Sequence, residues 1–591
     1  MNLITSITDD RKLKLTVGAV VLVFSVFWFY FPARYVLIAN QDVTLFLTTS
    51  DYLLPFLRRP GGLLEYNGSF LSQILRFRLP GALLLAGMVT ASYYLSVQLF
   101  RRISANRPAM AVTAGVVSAA LFAAMHNYYP HRVLHSLGMI LAMILADLVP
   151  RNTRGMRIFL IISVPFFYLI CGGFVWVFLL VWIARDTARE WTIKPEWLLW
   201  GILYPIVVIL ASSRLVFIQP IRDLLLNPLP LGLAYGHIIW PLLFTGWIIM
   251  IPFLARITVR FELTGYRWII PASLSIAVSV LVITLSYNRK NSEFFTIEKF
   301  AVEEDWESML RFVEDHPSGN LFGTYYTNLA LLEEGRLCVD LFKYPQPFGR
   351  RGLCFEWEPK GEVLRRGSDF FWAIGFVNEA QHWAFESMIV EGLTRRNLKR
   401  LIQTELVSGN LQVAAKYIGL MGRALFDRSL ERHYRTFLED PESIRSDPEL
   451  GPRAGIKIYD DFFAEGFDLE MNLKSMLVNE ARAKPVLDYL MAMYLLERRV
   501  DDIAELLPDY LKASPGQLPV LLEEALVIYK ITHREDNMTN IRVTEPTLQR
   551  FEEYTGILRQ YKNKNEAATI LYPRFGNTFW FYFNFSDLFG D

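Results

Sequence analysis

The sequence predicts an all-α protein in two parts, a polytopic helical membrane domain of about nine segments over residues 1–290 and an extracytoplasmic α-solenoid over 291–591. Three observations carry that expectation. From Leu13 to Tyr287 long apolar runs alternate with short arginine-bearing connectors, whereas from Asn288 onward charged residues occupy almost every block of ten. The charged half also falls into amphipathic stretches of helical length separated by short polar turns, with little sustained strand-like alternation.

Composition narrows the class further. A mean hydropathy of +0.25 and an aromatic content of 14% exclude a disordered, collagen-like or wholly soluble chain. Sixty basic against 59 acidic residues leave a formal charge of +1, and no basic run interleaves with aromatics, so nucleic acid is excluded as a partner. The three cysteines, Cys171, Cys338 and Cys354, form no paired Cys-x-x-Cys spacing for zinc or thiol chemistry. An oxidising compartment would permit a Cys338–Cys354 disulfide. Phosphate-loop, zinc-protease and nucleophile-elbow signatures are missing, and few charges lie mid-span, which leaves ion-coupled transport a minor reading.

In chain order, Arg11, Lys12 and Lys14 precede the apolar run Leu15–Phe31, an uncleaved first span because no small-residue cleavage site follows it. Further runs lie at Pro80–Phe100, Ala109–Met125, Leu134–Val149, Trp197–Ser213, His237–Ala255 and Trp268–Tyr287, each close to the roughly 20 residues a spanning helix needs. Four connectors, around Arg101/Arg102/Arg107, Arg151/Arg154/Arg157, Arg185/Arg189/Lys194 and Arg256/Arg260/Arg267, carry three basic residues each and belong in the cytoplasm. The stretch Ile158–Ala184 has basic clusters at both ends, which requires a hairpin, and Gly172-Gly173 marks its turn. Nine segments from a cytoplasmic N-terminus place everything after Tyr287 outside; in a bacterium that is the periplasmic side of the inner membrane.

The first outer loop, residues 32–79, reads as amphipathic. Tyr52, Leu53, Leu54, Phe56 and Leu57 precede Pro60-Gly61-Gly62, and Leu63, Leu64, Phe70, Leu71, Ile74 and Leu75 follow at helical spacing, as in two helices lying on the membrane surface. Arg58, Arg59, Arg76 and Arg78 then sit at headgroup level, where simple lipid anchoring is the plain alternative to a binding role. Asp42 and Asp51 fall on the same outer side. Such a first span, an outer loop with an acidic residue and two juxtamembrane helices, a series of spans and an external C-terminal part resembles the C-type membrane glycosyltransferase superfamily. The resemblance covers about residues 10–290. It implies a polyprenyl-phosphate-linked sugar as donor, a divalent metal ion as candidate cofactor, and Asp42, with Asp51 as substitute, as the catalytic base. The family's adjacent acidic pair is replaced here by Gln41-Asp42.

Two further groups are candidate binding residues. His126, His131 and His135 fall within ten residues around Arg132, a set able to protonate a phosphate leaving group or bind a metal while Arg132 holds the phosphate. Histidine and tyrosine also favour the membrane interface, so ordinary anchoring stands beside that reading. Arg214 and Arg222, among Pro220, Pro228 and Pro230, would supply cations for a donor pyrophosphate, or pair with Asp223 or lipid.

In the charged half, an element recurs at Ala330–Leu337, Thr404–Leu411 and Tyr494–Val500, with Gly335, Gly409 and Arg499 at matching positions between two helices. These pairs resemble tetratricopeptide-type repeats. The segment Asn577–Phe585, six of nine residues aromatic, caps the array or returns to the membrane. Thr327-Asn328-Leu329-Ala330, Gly335-Arg336-Leu337 and Phe376-Val377-Asn378-Glu379-Ala380-Gln381 together resemble a family of polytopic membrane proteins from Bacteroidota, which implies fold and compartment and assigns no activity. The expected function is handling of a lipid-linked sugar at the outer face, with the solenoid binding an acceptor glycan or a protein partner. The alternative is a non-catalytic, membrane-anchored scaffold for envelope assembly.

Overall fold

A computed structural model of the chain describes residues 2–41, 44–127, 131–192, 194–230, 235–259, 269–456, 468–477, 484–533 and 542–588. Every regular element among them is helical. The chain divides into two compact units, Met1–Ser292 with Arg423–Phe426, and Glu293–Gly422 with Asp427–Asp591.

In the first unit, α1 (Asn2–Tyr30) is followed by three short helices, α2 (Arg34–Gln41), α3 (Ser50–Leu57) and α4 (Gly62–Ser72). The long helices α5 (Arg78–Arg101) and α6 (Pro108–His126) come next, then α7 (Val133–Leu148), α8 (Thr153–Cys171) and α9 (Phe174–Glu190). Helices Pro195–Leu215, Ile221–Leu226, Tyr235–Thr258 and Ile269–Ser286 complete the unit, the first of them passing through a π-helical turn at Leu199–Leu203. The hairpin expected at Gly172-Gly173 forms there: α8 ends at Cys171 and α9 begins at Phe174.

Among the described residues, seven helices are long and apolar enough to cross a membrane. The two remaining segments of the nine expected are shorter. Helix α7 has 16 residues, a rise of about 24 Å against a hydrocarbon core of about 30 Å, and α9 has 17, its last turns carrying Arg185, Asp186, Arg189 and Glu190. Both pack within the protein, α7 against α4, α5 and α9, which is why neither needs a full apolar perimeter. The outermost helices differ. Only 11% of Ile269–Ser286 and 17% of Arg11–Tyr30 is buried, so Val23, Phe24, Ile270, Val280 and Leu285 present an apolar face to their surroundings.

The two ends of this unit are chemically distinct. At one, the Asp147 carboxylate accepts from Arg102 at 2.8 and 2.9 Å and from Gln98, while Arg185 donates to the carbonyls of Asp147 and Val149 at 2.9 and 3.0 Å. That group ties together the C-terminal ends of α5, α7 and α9. At the other, buried Asn127 accepts from Trp28 at 3.0 Å, donates to Ser286 at 2.7 Å, and receives the Tyr35 hydroxyl on its carbonyl at 2.6 Å. Arg78 closes the end of α1 by donating to the Tyr30 carbonyl at 3.0 Å and stacking on the Tyr30 ring.

In the second unit, helices Gly361–Ala373, Val377–Glu391, Arg395–Ser408, Leu411–Met421 and Arg428–Glu439 each pack on the next, as do Lys484–Glu497, Val500–Ala513 and Val520–Thr532. A shared turn links several of them. At Glu304, Gly335, Gly375, Gly409 and Arg498 the backbone takes a left-handed conformation, with φ of 56, 65, 82, 79 and 60°. In each case that residue's N–H donates to the carbonyl three residues back and the following N–H to the carbonyl five back from itself, as in Gly409 to Leu406 at 3.1 Å and Asn410 to Glu405 at 2.9 Å. This is the Schellman closure, which satisfies two helix-end carbonyls and turns the chain toward the next helix. In the third sequence element the left-handed residue is Arg498, one position before Arg499, the residue that matches Gly335 and Gly409 in the sequence.

Two further expectations resolve here. Cys338 and Cys354 are free thiols: Cys338 is buried with its Sγ 3.6 Å from the Asp488 carbonyl, and Cys354 lies 3.5 Å from the Phe355 carbonyl, so the disulfide does not form. The C-terminal aromatics form helix Phe579–Phe585 and enter a core with Tyr554, Leu571 and Phe575, Trp580 being fully buried. Glu524 holds that helix, accepting from the Phe579 N–H at 2.6 Å while its carbonyl accepts from the Trp580 indole at 2.9 Å. Burial pushes the Glu524 carboxyl up to about 8.

The turn geometry gives a clean comparison of two glycines. A Cβ at Gly409 or at helical Gly419 would meet nothing within 4 Å, so only backbone preference separates them. Gly409→Ala is expected to destabilise the protein by about 1–2 kcal/mol and Gly419→Ala to stabilise it by about 0.5–1 kcal/mol. Denaturant unfolding of the purified protein reads both, and equal effects would contradict the left-handed assignment.

Candidate functional site

The site is built where three turns of the first unit meet. Pro60-Gly61-Gly62 joins α3 to α4, Gly172-Gly173 joins α8 to α9, and Asn227 follows helix Ile221–Leu226. The Gly61 N–H donates to the Leu169 carbonyl at 3.2 Å and the Gly173 N–H to the Asn227 carbonyl at 2.8 Å. Tyr168 and Trp176 cap the carbonyls of Leu224 and Leu225, each at 2.9 Å. Glycine is required at the meeting point. Gly172 has φ of 56°, and a Cβ there would overlap the Asn227 carbonyl oxygen, while one on Gly61 would come within 2.7 Å of Pro228 Cδ.

This junction brings Asn227 to Glu65, 162 residues away in sequence, with its side-chain amide donating to Glu65 at 3.3 Å. Arg59, across the Gly61-Gly62 turn, forms an ion pair with the same carboxylate, and the positive charge of Arg132 also acts on it. Burial raises the Glu65 pKa above the usual carboxylate range, opposed in turn by Arg59, Asn227 and Arg132. The result is one half-buried carboxyl ion-paired with one guanidinium and acted on by the charge of a second. Chemically such a set can take up a proton at the carboxylate and hold an anionic oxygen at the guanidiniums.

Beneath it lies the histidine group. Helix α4 packs on α7 so closely that a Cβ on Gly68 would overlap Leu134, and α7 carries His135 and Ser136. Ser136 Oγ lies 2.9 Å from His126 Nε2 and 2.8 Å from His131 Nε2, so one imidazole donates to the serine while the serine hydroxyl donates to the other. The rings of His126 and His131 meet at right angles with centroids 5.0 Å apart, and His131 stands 5.2 Å from His135. His135 Nδ1 accepts from the Arg132 backbone N–H at 3.2 Å. All three imidazoles are buried, with Phe29 and Phe122 edge-on to His126. Burial drives His131 well below its ordinary pKa, which keeps it neutral.

Of the residues read from sequence, the structure thus gathers His126, His131, His135 and Arg132. Asp42 lies outside the described residues. Asp51 is exposed in the first turn of α3, and Arg214 and Arg222 are exposed and form no ion pair among the described residues. Glu65 and Ser136 were not legible as site residues: neither belongs to a spacing motif, and each acquires its partners through helix packing. The one available signal for Glu65 is an acidic residue just past a Gly-Gly turn flanked by Arg58 and Arg59.

For a divalent metal, the candidate set among the described residues is His433, Asp447 and Glu449 of the second unit, whose ligand atoms lie within 4.8 Å of one another. The fit is poor. Glu449 is ion-paired with Lys399 and accepts from Tyr434 at 3.0 Å, and Asp447 already accepts two backbone N–H groups at 2.8 and 2.9 Å. A metal would have to displace a lysine ammonium.

The chain belongs to a family of unknown function, DUF6057, whose model matches residues 11–586. No curated protein and no solved structure matches it.

The histidine group yields a stability prediction. Ser136→Ala would leave two buried imidazole nitrogens without their shared partner, and is expected to destabilise the unit by about 1–3 kcal/mol. Thermal unfolding of the detergent-solubilised protein measures this; an unchanged midpoint would mean that the serine is not holding the two rings.

Proposed function

We propose that the protein is embedded in a bilayer through its first unit and acts there on a lipid-linked phosphate ester of a sugar, as the C-type glycosyltransferase-like reading expects. The observation that carries the proposal is Glu65, half-buried with a raised pKa and flanked by the charges of Arg59 and Arg132. Apolar faces on Ile269–Ser286 and α1, left uncovered by protein, support a hydrocarbon surrounding. The up-and-down course of the helices supports the nine-segment topology, because the Asp147 group unites three arginine-bearing ends and the Asn127 group unites the opposite ends with Ser286.

In this mechanism, Arg59 and Arg132 hold the donor phosphate. Glu65, ionised before reaction, accepts the proton of an acceptor hydroxyl as that oxygen bonds to the anomeric carbon. The bond from anomeric carbon to phosphate oxygen breaks, and its electron pair leaves with the phosphate. A raised pKa makes the carboxylate a stronger base at neutral pH than a solvated glutamate. The second unit supplies a helical-repeat surface for the acceptor or a partner, in the manner of tetratricopeptide-type arrays.

The scaffold reading is favoured by one observation. The densest group of potentially reactive side chains, His126, His131 and His135, is buried.

Transfer from a polyprenyl-phosphate sugar in proteoliposomes is the test. Glu65→Gln is expected to lower the rate by about 10²–10⁴ at unchanged protein abundance, and Arg132→Ala to lose co-purifying polyprenyl phosphate detected by mass spectrometry. Asp42→Asn in the same assay decides whether the outer-loop aspartate shares the role. A wild-type protein that transfers nothing and carries only bulk phospholipid would leave the scaffold reading standing. Reporter fusions at residues 190 and 300 are expected on opposite sides of the membrane, and the same side for both would refute the nine-segment topology.

A further inference from the structure

The second unit contains a cavity of about 1280 Å³, above the 300–1,000 Å³ typical of small-molecule sites and large enough for several residues of an extended chain. It is bounded by the 350–360 loop, helices Gly361–Ala373 and Val377–Glu391, and the starts of Leu321–Glu333 and Leu469–Leu477. Its floor is aromatic. Trp383 is fixed there by donating to Glu379 at 2.8 Å, with its ring packed over Gly367, where any Cβ would overlap it. Phe355 and Phe371 lie beside it, and Trp357 stands in the wall with an indole N–H that is buried and has no partner among the described residues.

The charge around this floor is unbalanced. Six glutamates line the cavity against two arginines and one lysine. Of the basic groups, Arg350 pairs with Glu497 at 3.2 Å and Lys360 with Glu358 at 2.5 Å, while Arg351 has no ion pair among the described residues. Among the acids, Glu391 is matched by Arg365 at 3.0 Å, whereas Glu356 and Glu386 have no ion pair among the described residues. Glu356 and Glu386 outnumber the unpaired Arg351, and that excess of negative charge selects a cation through charge pairing. A neutral glycan would gain nothing from that unpaired charge.

We infer that this cavity binds a lysine- or arginine-bearing peptide segment of a partner protein, its basic side chains seated beside Glu356 and Glu386. The inference rests on the reading of the second unit as a partner-binding surface and is independent of sugar chemistry in the first. The test uses the full chain in nanodiscs and the fluorescence anisotropy of three labelled probes: a lysine-glycine octapeptide, its glutamate-glycine counterpart, and a neutral hexasaccharide. The lysine peptide is expected to bind in the micromolar range, at least tenfold more tightly than either other probe, and to weaken as salt screens the charges. Glu356→Gln combined with Glu386→Gln should weaken it at least tenfold at an unchanged unfolding temperature, while the aspartate substitutions at both positions retain most of the affinity. Failure of the lysine peptide to bind, binding insensitive to the two glutamates, or tighter binding of the hexasaccharide would each overturn the inference. Glu65→Gln separates the two proposals: it should lower transfer by about 10²–10⁴ and leave peptide binding unchanged.

Discussion

A helix that ends inside packed protein leaves carbonyls that have lost their partners, and both units of this chain are organised around closing such ends. Much of the closure comes from side chains distant in sequence. Arg78 closes Tyr30, Arg185 closes Asp147 and Val149, Tyr35 closes Asn127, and Tyr168 and Trp176 close the end of helix Ile221–Leu226. In the second unit Arg453 caps Ala373, the last residue of its helix, at 3.0 Å, while Tyr325 at 2.6 Å and the Trp580 indole at 2.9 Å bond to the carbonyls of Arg366 and Glu524 within their helices. Each bond ties a helix to a particular neighbour, and those at helix ends also satisfy a carbonyl that has lost its partner. Long amphipathic donors such as Arg, Tyr and Trp suit this work, because an apolar stem packs while the tip donates.

Charge placement follows from the same requirement. In the first unit the paired charges stand at helix ends, Asp147 with Arg102 at one and Glu65 with Arg59 at the other. The second unit tolerates charge deeper inside because it is extensively paired there. Glu298 accepts from Arg366 at 2.8 Å and Arg396 at 3.1 Å, Asp369 pairs with Arg396 and Arg400, and the Arg366 guanidinium lies 4.4 Å from the Phe322 ring centre. Breaking one partner of such a set leaves an uncompensated buried charge, so the network constrains the register of its helices more than it adds net stability.

The helices were legible because run length and periodicity are local properties. The same holds for the hairpin at Gly172-Gly173, where basic clusters at both ends of one apolar stretch leave no other course. The turn chemistry was half legible. Gly335 and Gly409 announce themselves, but Arg498 and Glu304 adopt the same backbone without a glycine, and only the paired hydrogen bonds identify them. At the candidate site the three histidines were readable as a cluster, whereas their common partner Ser136 depended on how α7 faces α6. Glu65 was missed for a deeper reason. Its environment comes from Asn227 and from three turns interlocked at glycine, a juxtaposition that no spacing in the sequence encodes.

Glu524 makes the seating of the C-terminal aromatic helix a proton-uptake reaction. Between its ordinary value of 4.5 and about 8, the folded state keeps a proton that the unfolded chain has released. The docked helix is therefore held most firmly below that window, loosens as the pH rises through it, and changes no further above about 8. Glu470 behaves in the opposite sense: bonded by Arg499 and held down to about 2, it contributes above its ordinary value of 4.5 and loses that contribution as the pH falls toward 2. Acid thus tightens one part of the second unit while it loosens another, and the hydrogen ion acts as a ligand whose two sites oppose each other.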